Sequence, residues 1–222
     1  DFADAYYHRS LVWLLQGDLK QGFVEYEWRW KRKKTPPLLF EQPLWTGQDL
    51  NDKCLLIHAE QGYGDTIQFV RYLPLLHQQG IKFIWVGQPE LKELLHTLGV
   101  ENIYSFDEAL PAFDFHIPLL SLPLIFETVL KTIPNRCPYL KVPKNIHVPI
   151  LPSERFKVGL VWTGNPDNKS DWKRSCPLQN LASLFELEEV VFYSLQKGVK
   201  QEVLSEFPSF YDLSPYLIDF AH

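Results

Sequence analysis

Apolar positions recur with two different periods along this chain. Between residues 3 and 16, Tyr7, Leu11, Leu14 and Leu15 fall at helical spacing, and "QGDLKQG" then interrupts them. "FVEYEWRWKRKK" restores a helical pattern as far as "TPP". There Pro36 and Pro37 must end it, because proline offers no backbone N–H. Two short helices joined by a turn make a hairpin. One hairpin cannot bury its own apolar face, so Trp13, Trp28 and Trp30 are expected to pack against a neighbouring body. The basic run Lys31–Lys34 reads as a solvated helix end that complements the helix dipole.

From residue 53 the pattern becomes short continuous apolar runs alternating with helical segments. "KCLLIHA", "IKFIWVG", "ENIYSF" and "FDFHIPL" read as strands. A helix over 65–78 ends at Gly80, "PELKELLHTLG" is a short helix bounded by Pro89 and Gly99, and "SLPLIFETVLKTI" is helical despite Pro123. Apolar strands alternating with helices predict an α/β fold with a parallel sheet covered on both faces. Five prolines, Pro134, Pro138, Pro143, Pro149 and Pro152, then mark a linker without periodicity. The alternation restarts with the strand "FKVGLVW", the polar loop "TGNPDNKSDWKRSC", the helix "PLQNLASLFEL" and the strand "EVVFYSL". The second unit is read as having two strands, too few to stand alone.

Composition narrows the classes. The net charge of −5 argues against general nucleic-acid binding, and no apolar run has the length of a membrane span. Cys54, Cys137 and Cys176 are odd in number and far apart, with neither metal-ligand spacing nor a disulfide framework, which points to a reducing cytoplasm. The chain contains no methionine and opens and closes inside patterned segments, so it is expected to be a piece of a longer protein.

Three loops carry candidate chemistry. The first, "HAEQGYGDTIQF", turns a strand into a helix through Gln61, Gly62 and Gly64 and places Asp65 at the helix start. Ligands of parallel sheets bind at such turns, where glycines admit close approach. Gly62-x-Gly64 is followed by Ile67 where a dinucleotide fingerprint needs glycine, and no Gly-Lys-Ser/Thr is present. Asp65 is either a helix N-cap or a general base, and one carboxylate can fill both roles. The second loop, 162–175, offers Thr163, Gly164 and Asn165 as donors and Lys173 and Arg174 as charges for a diphosphate. In the third, Gln196 and Lys197 follow the next strand on the same sheet edge. His58, His116 and His147 show no ligand spacing and are read as structural.

"AEQGYGDTIQFVRYLPLL" resembles the glycine-aspartate motif of heptosyltransferase-like glycosyltransferases, and "KVGLVWTGNPDNKSDWKRSCPLQNLASLF" resembles the start of their second domain. Ser10, Trp13, Gly17, Gly22 and Tyr26 resemble the small and aromatic positions of a tetratricopeptide repeat, which some bacterial proteins fuse to such a domain. The resemblance implies a GT-B-type arrangement of Rossmann-like domains. A tetratricopeptide-like hairpin would occupy 1–34, an acceptor-side domain with its linker 35–150, and an incomplete nucleotide-sugar-binding domain 151–222. It implies metal-independent sugar transfer to an acceptor hydroxyl, with Asp65 as base, Thr163, Lys173 and Arg174 on the donor phosphates, no cofactor beyond the nucleotide-sugar substrate, and a possible protein partner for the helices. The family's later Asp-Thr/Ser-x-x-Ala-His motif is absent before the chain stops at "DFAH", so activity is expected in a longer parent and not in this piece. Two rivals remain open: a non-catalytic interaction protein with a degenerate transferase-like domain, and another nucleotide-dependent enzyme such as an epimerase.

Overall fold

The computed structural model describes residues 2–33, 40–144, 146, 154–165, 167–198, 207 and 210–222. Pro36, Pro37, His147, Pro149, Pro152 and residues 199–206 and 208–209 lie outside the described residues. The chain forms two compact units, Asp1–Pro143 and Lys144–His222.

The first unit opens with helices α1 (Phe2–Gln16) and α2 (Leu19–Tyr26), the latter running on into a 3-10 segment, Glu27–Lys31. The turn between the helices is set by two residues. Gly17 adopts φ +84, a left-handed conformation that closes α1, while the N–H of Asp18 bonds the Trp13 carbonyl and that of Gly17 bonds Leu14. Asp18 then caps α2 by accepting from the Gln21 N–H at 3.2 Å. Where the helices meet, a methyl group on Gly22 would lie 2.6 Å from the Leu14 side chain and 3.1 Å from its backbone nitrogen, so only glycine permits this approach. Tyr7 and Leu14 pack toward the core, whereas Leu11 and Leu15 of the same predicted stripe are exposed. Arg32 is not the solvated end that the basic run suggests: it pairs with Asp4 of α1 and lies over the Tyr7 ring.

A four-stranded, all-parallel sheet follows, in the order β3-β2-β1-β4, built from β1 (Leu55–His58), β2 (Phe83–Gly87), β3 (Ile103–Ser105) and β4 (Phe115–Pro118). One face, with Leu55, Ile57, Trp85 and Ile117, packs on Val70, Leu73, Leu76, Leu91 and Leu95 from the intervening helices and on Tyr26 from the hairpin. The other face, with Leu56, Ile84 and Val86, is covered by Phe40, Leu110 and Phe113 from irregular segments. The expected helix over 65–78 is α3 (Tyr63–Phe69) and α4 (Leu73–Gln78) with a 3-10 turn between them, since Pro74 can occupy only a first turn. Beyond β2 the short helix is α5 (Lys92–His96). In "SLPLIFETVLKTI" only α6 (Leu122–Ile125) is α-helical, with Glu127 left-handed at φ +45.

The second unit corrects the strand count. Among the described residues its parallel sheet, in the order β5-β6-β7, has three strands: β5 (Phe156–Leu160), β6 (Val190–Ser194) and β7 (Phe210–Asp212). One face builds a small core from Trp162, Leu178, Phe192 and Phe210 with Phe185. The expected helix after Pro177 is a run of 3-10 turns, Leu178–Glu186. Both sheets are parallel and compatible with a Rossmann-like fold, and among the described residues no helix is long and apolar enough to cross a membrane.

Candidate functional site

The winding of the first sheet reverses between β1 and β4, and the carboxyl ends of these two strands mark the crevice at which open parallel sheets generally bind ligands. The chain fills that crevice itself. Glu60, two residues beyond β1, accepts from the Leu120 N–H beyond β4 at 3.1 Å and from Arg29 at 2.8 and 2.9 Å. Arg29 also donates to Glu27 at 2.7 Å and to Ser121 at 2.8 Å, and it lies against the Tyr26 and Trp30 rings. It is only 4% exposed. Burial alone would lower its pKa, but the Glu60 hydrogen bonds and charge outweigh burial and raise it, so the cation persists. In the motif "EYEWRW" the sequence pattern singles out the tryptophans, and neither its arginine nor Glu60 in the glycine turn stands out from sequence. An arginine two residues from a glutamate in an apolar helix was the available signal.

Beside this network lies the glycine turn. Gly62, not Asp65, is the N-cap of α3, and Asp65 occupies the third helical position, where its Oδ2 accepts from the Gly62 N–H at 3.0 Å. Asp65 is half-buried. Neither glycine is demanded by the backbone: Gly62 has φ −91, and a methyl group on Gly64 would meet nothing within 4 Å. The left-handed residue of the turn is Gln61, at φ +61, whose amide donates to the Tyr26 hydroxyl at 2.6 Å. Gln88, beyond β2, accepts from Thr66 at 3.0 Å and donates to the Gln61 carbonyl at 3.3 Å, so two strand ends and the hairpin fix the loop.

In the second unit the parallel strands put all three following loops on one edge. Gln196, buried beyond β6, accepts at its Oε1 from the N–H groups of Trp162 at 3.1 Å and Thr163 at 2.9 Å. The Gly164 N–H donates to Ser175 Oγ at 2.9 Å, and Ser175 donates to Asp171 at 2.6 Å. Arg174 donates to Asp171 at 3.0 Å. The Ser175 hydroxyl, and after it Arg174, hold the Asp171 carboxyl below the usual range. The backbone donors expected to face a ligand at Thr163 and Gly164 are therefore used within the loop, and Asp171 is the acidic partner the sequence reading left out. A methyl group on Gly164 would meet the Asp171 and Arg174 side-chain ends at 2.3 and 2.6 Å and displace their contact.

Lys173 and Arg174 remain exposed, with the Lys173 ammonium over the ring of Trp172, itself 75% exposed. Asn165 is exposed and closes a local turn by accepting from the Asp167 N–H at 3.0 Å. Lys197 reaches away from this cluster to the Ile218 carbonyl at 3.1 Å. The structure thus joins Thr163, Gly164, Arg174 and Gln196 in one hydrogen-bonded loop and sets Lys197 apart. Among the described residues no group of three or more His, Cys, Asp or Glu side chains could hold a metal ion.

No family model matches the chain, and no solved structure matches it. Among curated proteins it is similar to Protein FlbA of Caulobacter vibrioides, with 36% identity over 76 residues, a stretch that covers 33% of this chain and 13% of FlbA.

Proposed function

We propose that this chain belongs to a nucleotide-sugar-dependent glycosyltransferase of GT-B type, in which the first unit faces the acceptor and the second contributes the first donor-binding loop. The observation that carries the reading is the glycine turn. Gly64 lies in the first turn of α3 with open space around it, and no neighbour requires a glycine there. Open ground beside a half-buried carboxylate suits the close approach of a substrate. In this reading Asp65 takes the proton of the acceptor hydroxyl, and the exposed Lys173 and Arg174 neutralise the departing diphosphate without a metal ion. The hairpin acts as a tetratricopeptide-like unit, a role that the buried Ser10, Gly22 and Tyr26 support.

Differential scanning fluorimetry of the chain with UDP, GDP and ADP and their sugar conjugates tests the donor half. One nucleotide class should raise the melting temperature, and Lys173→Gln/Arg174→Gln should remove the effect. In an active protein that contains this chain, Asp65→Asn should lower turnover by about two orders of magnitude or more. Its fold should persist, because asparagine can also accept from the Gly62 N–H. Chelation of metals should leave turnover unchanged.

A second reading, an interaction scaffold with a degenerate transferase-like domain, is favoured by the Arg29–Glu60 pair that fills the crevice between β1 and β4. Stabilisation by no nucleotide, together with no sugar transfer by a protein that contains this chain, would select that reading.

A further inference from the structure

A groove of about 480 Å³ lies in the first unit between α4, the turn after α5 and the proline-rich segment near residues 134–141. That volume suits a small molecule. Its residues come from the ends of helices that lead into β2 and β3, away from the carboxyl edge where the glycine turn lies.

The lining combines two chemistries. Leu75, Pro138 and Tyr139 give an apolar floor, and Arg71, Arg136 and Lys141 give three positive charges, with no carboxylate among the lining residues. In a chain of net charge −5, such a patch is a local inversion of the protein's field. Its walls are fixed. The Tyr139 hydroxyl donates to the Ile67 carbonyl at 3.0 Å, and the Lys141 N–H donates to Thr97 Oγ1 at 3.2 Å. The Arg71 guanidinium lies 4.9 Å from the Tyr139 ring centroid, and its Nε is shut off from solvent with no hydrogen-bond partner. The Tyr139 ring holds this guanidinium in place, and a preorganised arginine with two more cations at the rim is the donor set that recognises a phosphoryl group.

We infer that this groove binds a phosphomonoester of an apolar or aromatic group, with the phosphate between Arg71, Arg136 and Lys141 and the organic part against Tyr139 and Leu75. The phosphate can belong to a free metabolite or to a lipid headgroup.

The test titrates the chain with phenyl phosphate and, separately, with phosphatidate vesicles, followed by calorimetry and by the ¹⁵N-resolved Arg71 Nε–H resonance. Phenyl phosphate should bind more tightly than inorganic phosphate and shift that resonance. Arg136→Gln/Lys141→Gln, which alters only exposed side chains, should weaken binding by about tenfold or more, the scale of losing charge-assisted hydrogen bonds. Lys173→Gln/Arg174→Gln should leave it unchanged. Binding to vesicles with the same dependence on Arg136 and Lys141, and none to phenyl phosphate, would support the site and assign the lipid source. Binding to neither, or binding indifferent to Arg136→Gln/Lys141→Gln, would overturn the inference.

Discussion

The two sheet edges hold an arginine–carboxylate contact each, in opposite surroundings. In the first unit Arg29 is enclosed by protein and shared between Glu60, Glu27 and Ser121. In the second, Arg174 meets Asp171 with its side chain 54% exposed. The chemistry is similar, but the solvent differs. Water screens the exposed pair and competes for both charges, while in the buried network each charge depends on its partners for all the solvation it lost. The edge of the second unit is held mainly by a neutral amide, Gln196, and that of the first by ions.

Breaking the buried side of this comparison should give the largest effect. Arg29→Met leaves Glu60 buried without its cation and should destabilise the first unit by about 3–5 kcal/mol, read from urea unfolding. Arg29→Met/Glu60→Leu should recover much of that loss, since neither charge then remains stranded. Strictly additive losses from Arg29→Met and Glu60→Leu would show that the two side chains do not act as a pair.

Acid should also separate the units. Burial first, and then His116, lower the pKa of His58 from 6.5 to about 3, and burial lowers that of His116. Below pH 6.5 the unfolded chain takes up protons that the folded one refuses. Stability is therefore complete above that pH and falls as pH drops toward 3. His58 alone should account for about 2 kcal/mol by pH 5. Unfolding monitored at buried Trp85 for the first unit and buried Trp162 for the second should show the loss at Trp85, and His58→Leu should flatten it.

Gln196→Ala strands two backbone N–H groups, that of Trp162 in a buried setting, and should destabilise the second unit by about 1–3 kcal/mol in chemical denaturation. Arg174→Gln should change the same measurement by less than about 1 kcal/mol, because Ser175 keeps its bond to Asp171 and the lost pair is exposed. A cost for Arg174→Gln as large as that for Arg29→Met would end the contrast drawn from burial.

The sequence was most legible where one local rule decided the outcome. Gly17 and Asp18 mark the hairpin turn because a left-handed closure and an oxygen cap have few substitutes. The apolar runs at Leu55, Phe83 and Phe115 mark buried parallel strands because a sheet covered on both faces leaves no room for polar alternation. Legibility fell where residues were short of local cues. β7 contains only Phe210, Tyr211 and Asp212, too few to show a period, and its pairing with β6 defines it. Pro74 and a left-handed Glu127 broke the predicted helices into turns that the apolar spacing alone did not reveal.

The candidate site divides along the same line. Sequence alone determined the chemical types present and the loops that carry them: a carboxylate after two glycines, two cations after a buried strand, and an amide beyond the next one. Only the tertiary structure decided which of these groups are already engaged. It assigned Asp65 to the Gly62 N–H, gave the amide of Gln196 to the loop after β5, and drew Arg29 across from the hairpin to the crevice between β1 and β4. Those choices depend on partners 31 to 34 residues away for Arg29 and Gln196, and a hydrogen bond over such a separation is set by where the fold places two loops rather than by either loop's own sequence.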